Sequence, residues 1–150
     1  MRWLSDLLTN RAFWCALSGW FIAQAIKVPI HYLTHHEWDW KRINGSGGMP
    51  SSHSCLCVSL SMYLGCRYGL GSDIFVLSLV LSAIVMYDAS GVRRETGKQA
   101  EVINEILRKV FVDGQPISDD NLKELVGHKP HEVLAGALLG IIIGLCFGLL

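Results

Sequence analysis

The chain has 150 residues, 51% of them hydrophobic, and its 13 Lys and Arg balance its 13 Asp and Glu. Its mean hydropathy is +0.34. That length suits one domain over residues 1–150, but a soluble domain of this size needs a larger polar shell than this composition supplies. Zero net charge provides no basic field for a nucleic-acid partner. The charges collect between apolar blocks, which is the pattern of a chain embedded in membrane lipid.

Four apolar blocks read as membrane helices, at about 13–33, 54–70, 74–89 and 131–150. A straight span needs about 20 residues. The middle two are therefore expected to extend into polar neighbours, which brings His53 and Asp88 to membrane depth. The first block carries no evident small-residue cleavage site and reads as a permanent span. By alternation, both termini and the tight turn near 69–72 share one membrane face, the terminal face. The segments 34–52 and 90–130 share the opposite one, the loop face.

Within the second segment, Ala100, Ile103, Ile106, Leu107, Val110 and Phe111 recur at helical spacing opposite Lys98, Glu101, Glu105, Arg108 and Lys109. This predicts an amphipathic helix before the last span. Asp113-Gly114-Gln115-Pro116 ends it, and Ser118-Asp119-Asp120 can cap a short helix over 121–126. The expected fold is an all-α polytopic membrane bundle of about four spans plus this amphipathic helix.

The last block carries Gly136, Gly140, Gly144 and Gly148, a stripe that lets another backbone approach closely. It suits packing within the bundle better than contact with a second copy, although a homodimer stays open. The five cysteines, Cys15, Cys55, Cys57, Cys66 and Cys146, lie in or at the ends of apolar blocks and form no CxxC pair. They read as small packing residues rather than as a disulfide or zinc framework.

Most Lys and Arg near the span ends flank the loop face, among them Lys41, Arg42, Arg93, Arg94, Lys123 and Lys129. The terminal face has Arg2, Arg11 and Arg67. The positive-inside rule therefore puts the loop face in the cytoplasm of a cell-membrane protein.

The residues that can do chemistry also fall on that face. In Gly45-Ser46-Gly47-Gly48-Met49-Pro50-Ser51-Ser52-His53-Ser54, a glycine-rich turn leads into a helix start. Its free amides suit an anion, and its histidine can pass a proton to a leaving oxygen. The bland reading is an ordinary helix start. In Gly127-His128-Lys129-Pro130-His131-Glu132, the four-residue step from His128 to Glu132 lets a carboxylate fix one imidazole nitrogen while the other faces a substrate. Its bland reading is a helix-capping glutamate. Asp88, at a span end, is followed by Arg93 and Arg94, whose guanidinium groups suit phosphate. Lys27, inside the first span, either snorkels to the loop face or reaches the same anion, and Gln24 lies one turn away. His31, His35, His36 and Glu37 offer metal ligands, but Trp38 and Trp40 mark this stretch more simply as an interfacial belt.

Taken together, GGMPSSHS, MYDASGVRR, GKQAEVINEIL and LVGHKPHEVLAGALLG, in that order, resemble the type 2 phosphatidic acid phosphatase superfamily. They are most similar to its divergent branch, described as acid phosphatase/vanadium-dependent haloperoxidase-related. The resemblance runs from about Gln24 to Gly140. Pro50, Ser51 and His53 match the superfamily's second motif, with Ser52 in place of its glycine. His128 and Glu132 match the third, with Glu for Asp and Leu122 where its arginine would stand. Arg93 or Arg94 is the substitute source of that charge, and Lys27 is the one candidate for the first motif's lysine.

The resemblance implies hydrolysis of a lipid phosphomonoester through a phosphohistidine. His128 would be the nucleophile, Glu132 its orienting partner and His53 the acid and then the base. Lys27, Ser51, Ser52, Arg93, Arg94 and Lys98 would hold the phosphate, supported by Asp88. No metal or other cofactor is expected. A cytoplasmic-facing site favours phosphatidylglycerophosphate as substrate. Polyprenyl phosphate or diphosphate, and phosphatidate, come next. A scaffold whose phosphatase site has decayed is the reading from outside the enzyme class.

Overall fold

The computed structural model describes residues 2–36, 38, 48–91, 97, 99, 100, 102–104, 107 and 129–150. Among the described residues five helices have both ends placed: α1 (Arg2–Leu8), α2 (Arg11–His35), α3 (Ser52–Tyr68), α4 (Asp73–Ser90) and α5 (Pro130–Leu149). The described residues between 97 and 107 are helical too, where the amphipathic helix was expected. The proposed helix over 121–126 lies outside the described residues. The protein is thus an all-α helical bundle suited to a membrane.

Local chemistry sets the helix starts. The Asn10 side chain accepts from the amides of Ala12 and Phe13 and opens α2. Ser51 and Ser72 cap α3 and α4 in the same way, and Pro130 occupies the first turn of α5, where a missing N–H costs nothing. The short helix α1 was not expected from the sequence. It leaves Trp3, Leu4, Leu7 and Leu8 exposed, and its Leu8 carbonyl accepts from Trp14 Nε1 at 2.7 Å.

Among the described residues three helices are long and apolar enough to cross a membrane: α2 over Arg11–Leu33, α4 and α5. The other long helix, α3, has 17 residues and holds a different place. It packs against α2, α4 and α5 and buries Ser52, Ser54, Cys55, Ser59, Ser61, Tyr63 and Gly65. Enclosed in this way, it needs no continuous apolar surface. By contrast α4 buries only Ser82 and Ala89 and turns its leucines, valines and isoleucines outward.

The glycine stripe of α5 faces α3, within one chain. A β-carbon at Gly140 would lie 2.8 Å from the Cys55 carbonyl oxygen, one at Gly144 would lie 2.6 Å from that of Ser59, and one at Gly148 would lie 2.5 Å from Cys66 Cβ. At Gly136 it would strike the Ser51 carbonyl. Residue numbers rise together along both helices, so α3 and α5 run parallel. Helix α2 runs antiparallel to α3: a β-carbon at Gly19 would meet Ser59 Oγ at 2.6 Å, and Cys15 Sγ donates to the Ser59 carbonyl at 3.4 Å. Helix α4 joins α3 through a buried Ser61 Oγ···Ser82 Oγ bond of 2.8 Å.

The stripe makes a packing prediction. Gly140→Val forces a branched side chain onto α3 backbone, and such overpacking costs about 1–3 kcal/mol or more. Its melting temperature in detergent should fall clearly below that of Gly71→Ala, a site where an added β-carbon has nothing within 4 Å. Equal melting of the two variants would contradict the seam.

Candidate functional site

The starts of α3 and α5 meet at the loop-face end of the bundle. The Ser51 amide donates to the Glu132 carbonyl at 2.9 Å, so the two motifs that lie far apart in the chain are joined by main chain. Ser51 is fully buried. Its hydroxyl accepts from the Ser54 amide at 3.4 Å and from the Ser54 hydroxyl at 3.0 Å. Just before it, the Met49–Pro50 peptide is cis and Gly48 has a φ of 90°, a conformation that glycine adopts without strain.

This arrangement sorts the amides. The Ser51 N–H is committed to Glu132. The first turn, from Ser52, carries the positive end of the helix dipole. Ser52 is buried there, whereas His53 is exposed.

Glu132 sits in the first turn of α5 and is half-buried. Its carboxylate accepts from the Lys129 amide at 3.0 Å, which is the helix-capping role. A carboxylate has two oxygens and several acceptor positions, so capping uses only part of its capacity. His131, next to it, points to the exposed side.

Helix α2 brings a polar stripe to the same end. Gln24, Lys27 and His31 are 8%, 3% and 8% exposed, so three polar side chains face the interior of a span. Gly19 lies level with Cys55–Ser59. At about 1.5 Å per residue, Gln24 then stands about level with Ser52, and Lys27 with the Met49–Pro50 turn. Lys27 is buried, so its stem runs within the bundle and not along its outer surface. Asp88 is half-buried near the end of α4. Counting back from the Ser61–Ser82 pair places it about level with Cys55, one turn into α3.

The structure therefore brings Lys27, Ser51, Ser52, His53, Asp88 and Glu132 to one end of the bundle. His128, Arg93, Arg94 and Lys98 lie outside the described residues. So do Glu37 and the side chain of His35, two of the four groups weighed as metal ligands. Among the described residues no group of three His, Cys, Asp or Glu is placed to hold a metal. Tyr32 stacks on Trp38 with ring centroids 4.5 Å apart and meets His36 edge-on, the aromatic cluster of an interfacial belt. Sequence reading missed the tether between Ser51 and Glu132 and the depth of His31. The first has no side-chain signature at all.

A helical bundle with three candidate spans and a polar site at one end defines a polytopic membrane protein. The chain belongs to the Divergent PAP2 family, whose profile matches residues 8–143. The membrane protein YuiD of Bacillus subtilis (strain 168) is 39% identical over 150 residues, covering 93% of this chain and 95% of that protein. No solved structure matches the chain.

The Ser51 cap can be tested directly. Ser51→Ala removes the acceptor of two Ser54 donors, and loss of such a cap costs about 1 kcal/mol. The melting temperature should drop by a few degrees in detergent, while Ser51→Thr, which keeps the oxygen, should lose less.

Proposed function

We propose that the chain is a phosphatase of lipid phosphates, working at the cytoplasmic face of the cell membrane, with phosphatidylglycerophosphate as its first candidate substrate. The observation that carries this reading is the 2.9 Å main-chain bond from Ser51 to Glu132. It fastens the residue two before His53 to the residue four after His128. Membership of the Divergent PAP2 family supports the same chemistry.

In this reading His128 attacks phosphorus and the bond to the lipid oxygen breaks. His53 gives that oxygen its proton, so the lipid leaves as an alcohol. His53 then takes a proton from water, which attacks the phosphohistidine. Inorganic phosphate departs and His128 is restored. Glu132 uses its remaining acceptor capacity to hold the His128 ring and stabilise its charged form. Lys27, Arg93, Arg94 and Lys98 offset charge on the phosphoryl oxygens, Asp88 steadies the arginines, and the first-turn amides of α3 complete the cradle. Ser51 supports that cradle through its cap rather than through its amide. The scheme uses no metal.

Phosphate release from phosphatidylglycerophosphate in detergent micelles, with a chelator present, tests it. Wild type should turn over. His53→Ala should lose about 10²–10⁴-fold, as removal of a general acid does. His128→Ala should lose all turnover while melting like wild type. Turnover in His128→Ala would remove the nucleophile, and loss of wild-type turnover on chelation would remove the metal-free scheme.

A further inference from the structure

We propose that Gln24 is a specificity-determining residue, whose amide oxygen accepts a hydrogen bond from a hydroxyl on the substrate next to its phosphoester. This rests on the phosphatase reading and narrows its substrate class to lipid phosphates that carry such a hydroxyl.

Gln24 is 8% exposed, within the span Arg11–Leu33, and its Oε1 has no hydrogen-bond partner among the described residues. An unmet acceptor at such a place costs free energy, more so with no water at membrane depth. An amide side chain in a span either hydrogen-bonds to a neighbouring helix or faces a cavity or ligand, and Gln24 Oε1 makes no such bond among the described residues.

Depth says which part of a ligand it would meet. Lys27, assigned above to the phosphate, is three residues nearer the loop face. Gln24 thus lies about 4.5 Å deeper at about 1.5 Å per residue. A lipid phosphate presents its phosphate to the face and runs inward from there. A hydroxyl on the carbon beside the phosphoester carbon is four bonds from phosphorus, a comparable reach in the same direction. An amide oxygen is the wrong partner for anionic phosphoryl oxygens, because both are acceptors, and a suitable one for a hydroxyl. Phosphatidylglycerophosphate has this hydroxyl. Phosphatidate, with both remaining glycerol oxygens acylated, and polyprenyl phosphates do not.

The test compares the full-length chain with Gln24→Met, which keeps length and removes the acceptor. The quantity read is kcat/KM on phosphatidylglycerophosphate divided by kcat/KM on phosphatidate. Sites that bond a substrate hydroxyl discriminate strongly against analogues lacking it, so this ratio should fall at least about tenfold in the variant. The unliganded variant should melt no lower than wild type, because an unpaired buried oxygen has been removed. An unchanged ratio overturns the proposal: it would mean that Gln24 contacts the phosphate or nothing. Loss of folding also overturns it, in favour of a structural role. Should wild type hydrolyse neither lipid, thermal shifts with glycerol 1-phosphate and ethyl phosphate decide the point separately. A wild-type preference for glycerol 1-phosphate that Gln24→Met abolishes keeps the Gln24 assignment while the phosphatase reading fails. Equal shifts overturn the assignment as well.

Discussion

A hydrogen bond between the backbones of two helix starts requires those backbones to approach more closely than side chains normally permit. The Ser51 amide reaches the Glu132 carbonyl because the next turn of α5 presents Gly136, where any β-carbon would strike the Ser51 carbonyl. From that point Gly140, Gly144 and Gly148 repeat the approach against Cys55, Ser59 with Met62, and Cys66. The two parallel helices are thereby held in one register along their length. The starts of α3 and α5 at the loop-face end take their relative position from this seam.

The seam also explains the composition of α3. A helix met by glycine backbone on one side and by Gly19 of α2 on another has room only for small side chains. It carries Ser51, Ser54, Cys55, Ser59 and Ser61 there, and their hydroxyls find partners in neighbouring carbonyls or one another. In lipid such groups would be costly. Enclosed by α2, α4 and α5, they are satisfied within the protein. The lipid-facing surface is supplied by the enclosing helices, above all by α4.

Features set by local chemistry were legible in the sequence. The Ser51 cap, Pro130 in the first turn of α5 and the glycine stripe depend on residues within a few positions of each other. The apolar block at 54–70 pointed to α3, but the helix begins at Ser52, because a cap and not hydropathy fixes a helix start. Features set by tertiary contact were not legible. Four-residue spacing of glycine cannot say whether the facing backbone belongs to the same chain. Lys27 has the same sequence signature whether it snorkels outward or turns inward, and its burial is a tertiary fact that the sequence does not carry. Glu132 suited both a cap and a catalytic orienting role. The cap is what its bond to the Lys129 amide shows, and its other acceptor positions are not consumed by it. Helix α1 is too short and too polar-interrupted to register as a span or a periodic face.

One consequence of the seam concerns depth. Because α3 starts about level with Gln24, inside the candidate span Arg11–Leu33 of α2, its first-turn amides lie at the depth of that span rather than at its end. At such a depth the effective dielectric is lower than at an exposed helix end, so a helix dipole acts more strongly on an anion. The same environment makes an unmet acceptor expensive, and Gln24 Oε1 has no partner among the described residues. A polar group that a bundle holds at a cost before binding can recover that cost on binding. On the reading proposed above, selectivity would follow from which ligand supplies the missing donor, and not from the strength of attraction to phosphate, which every lipid phosphate shares.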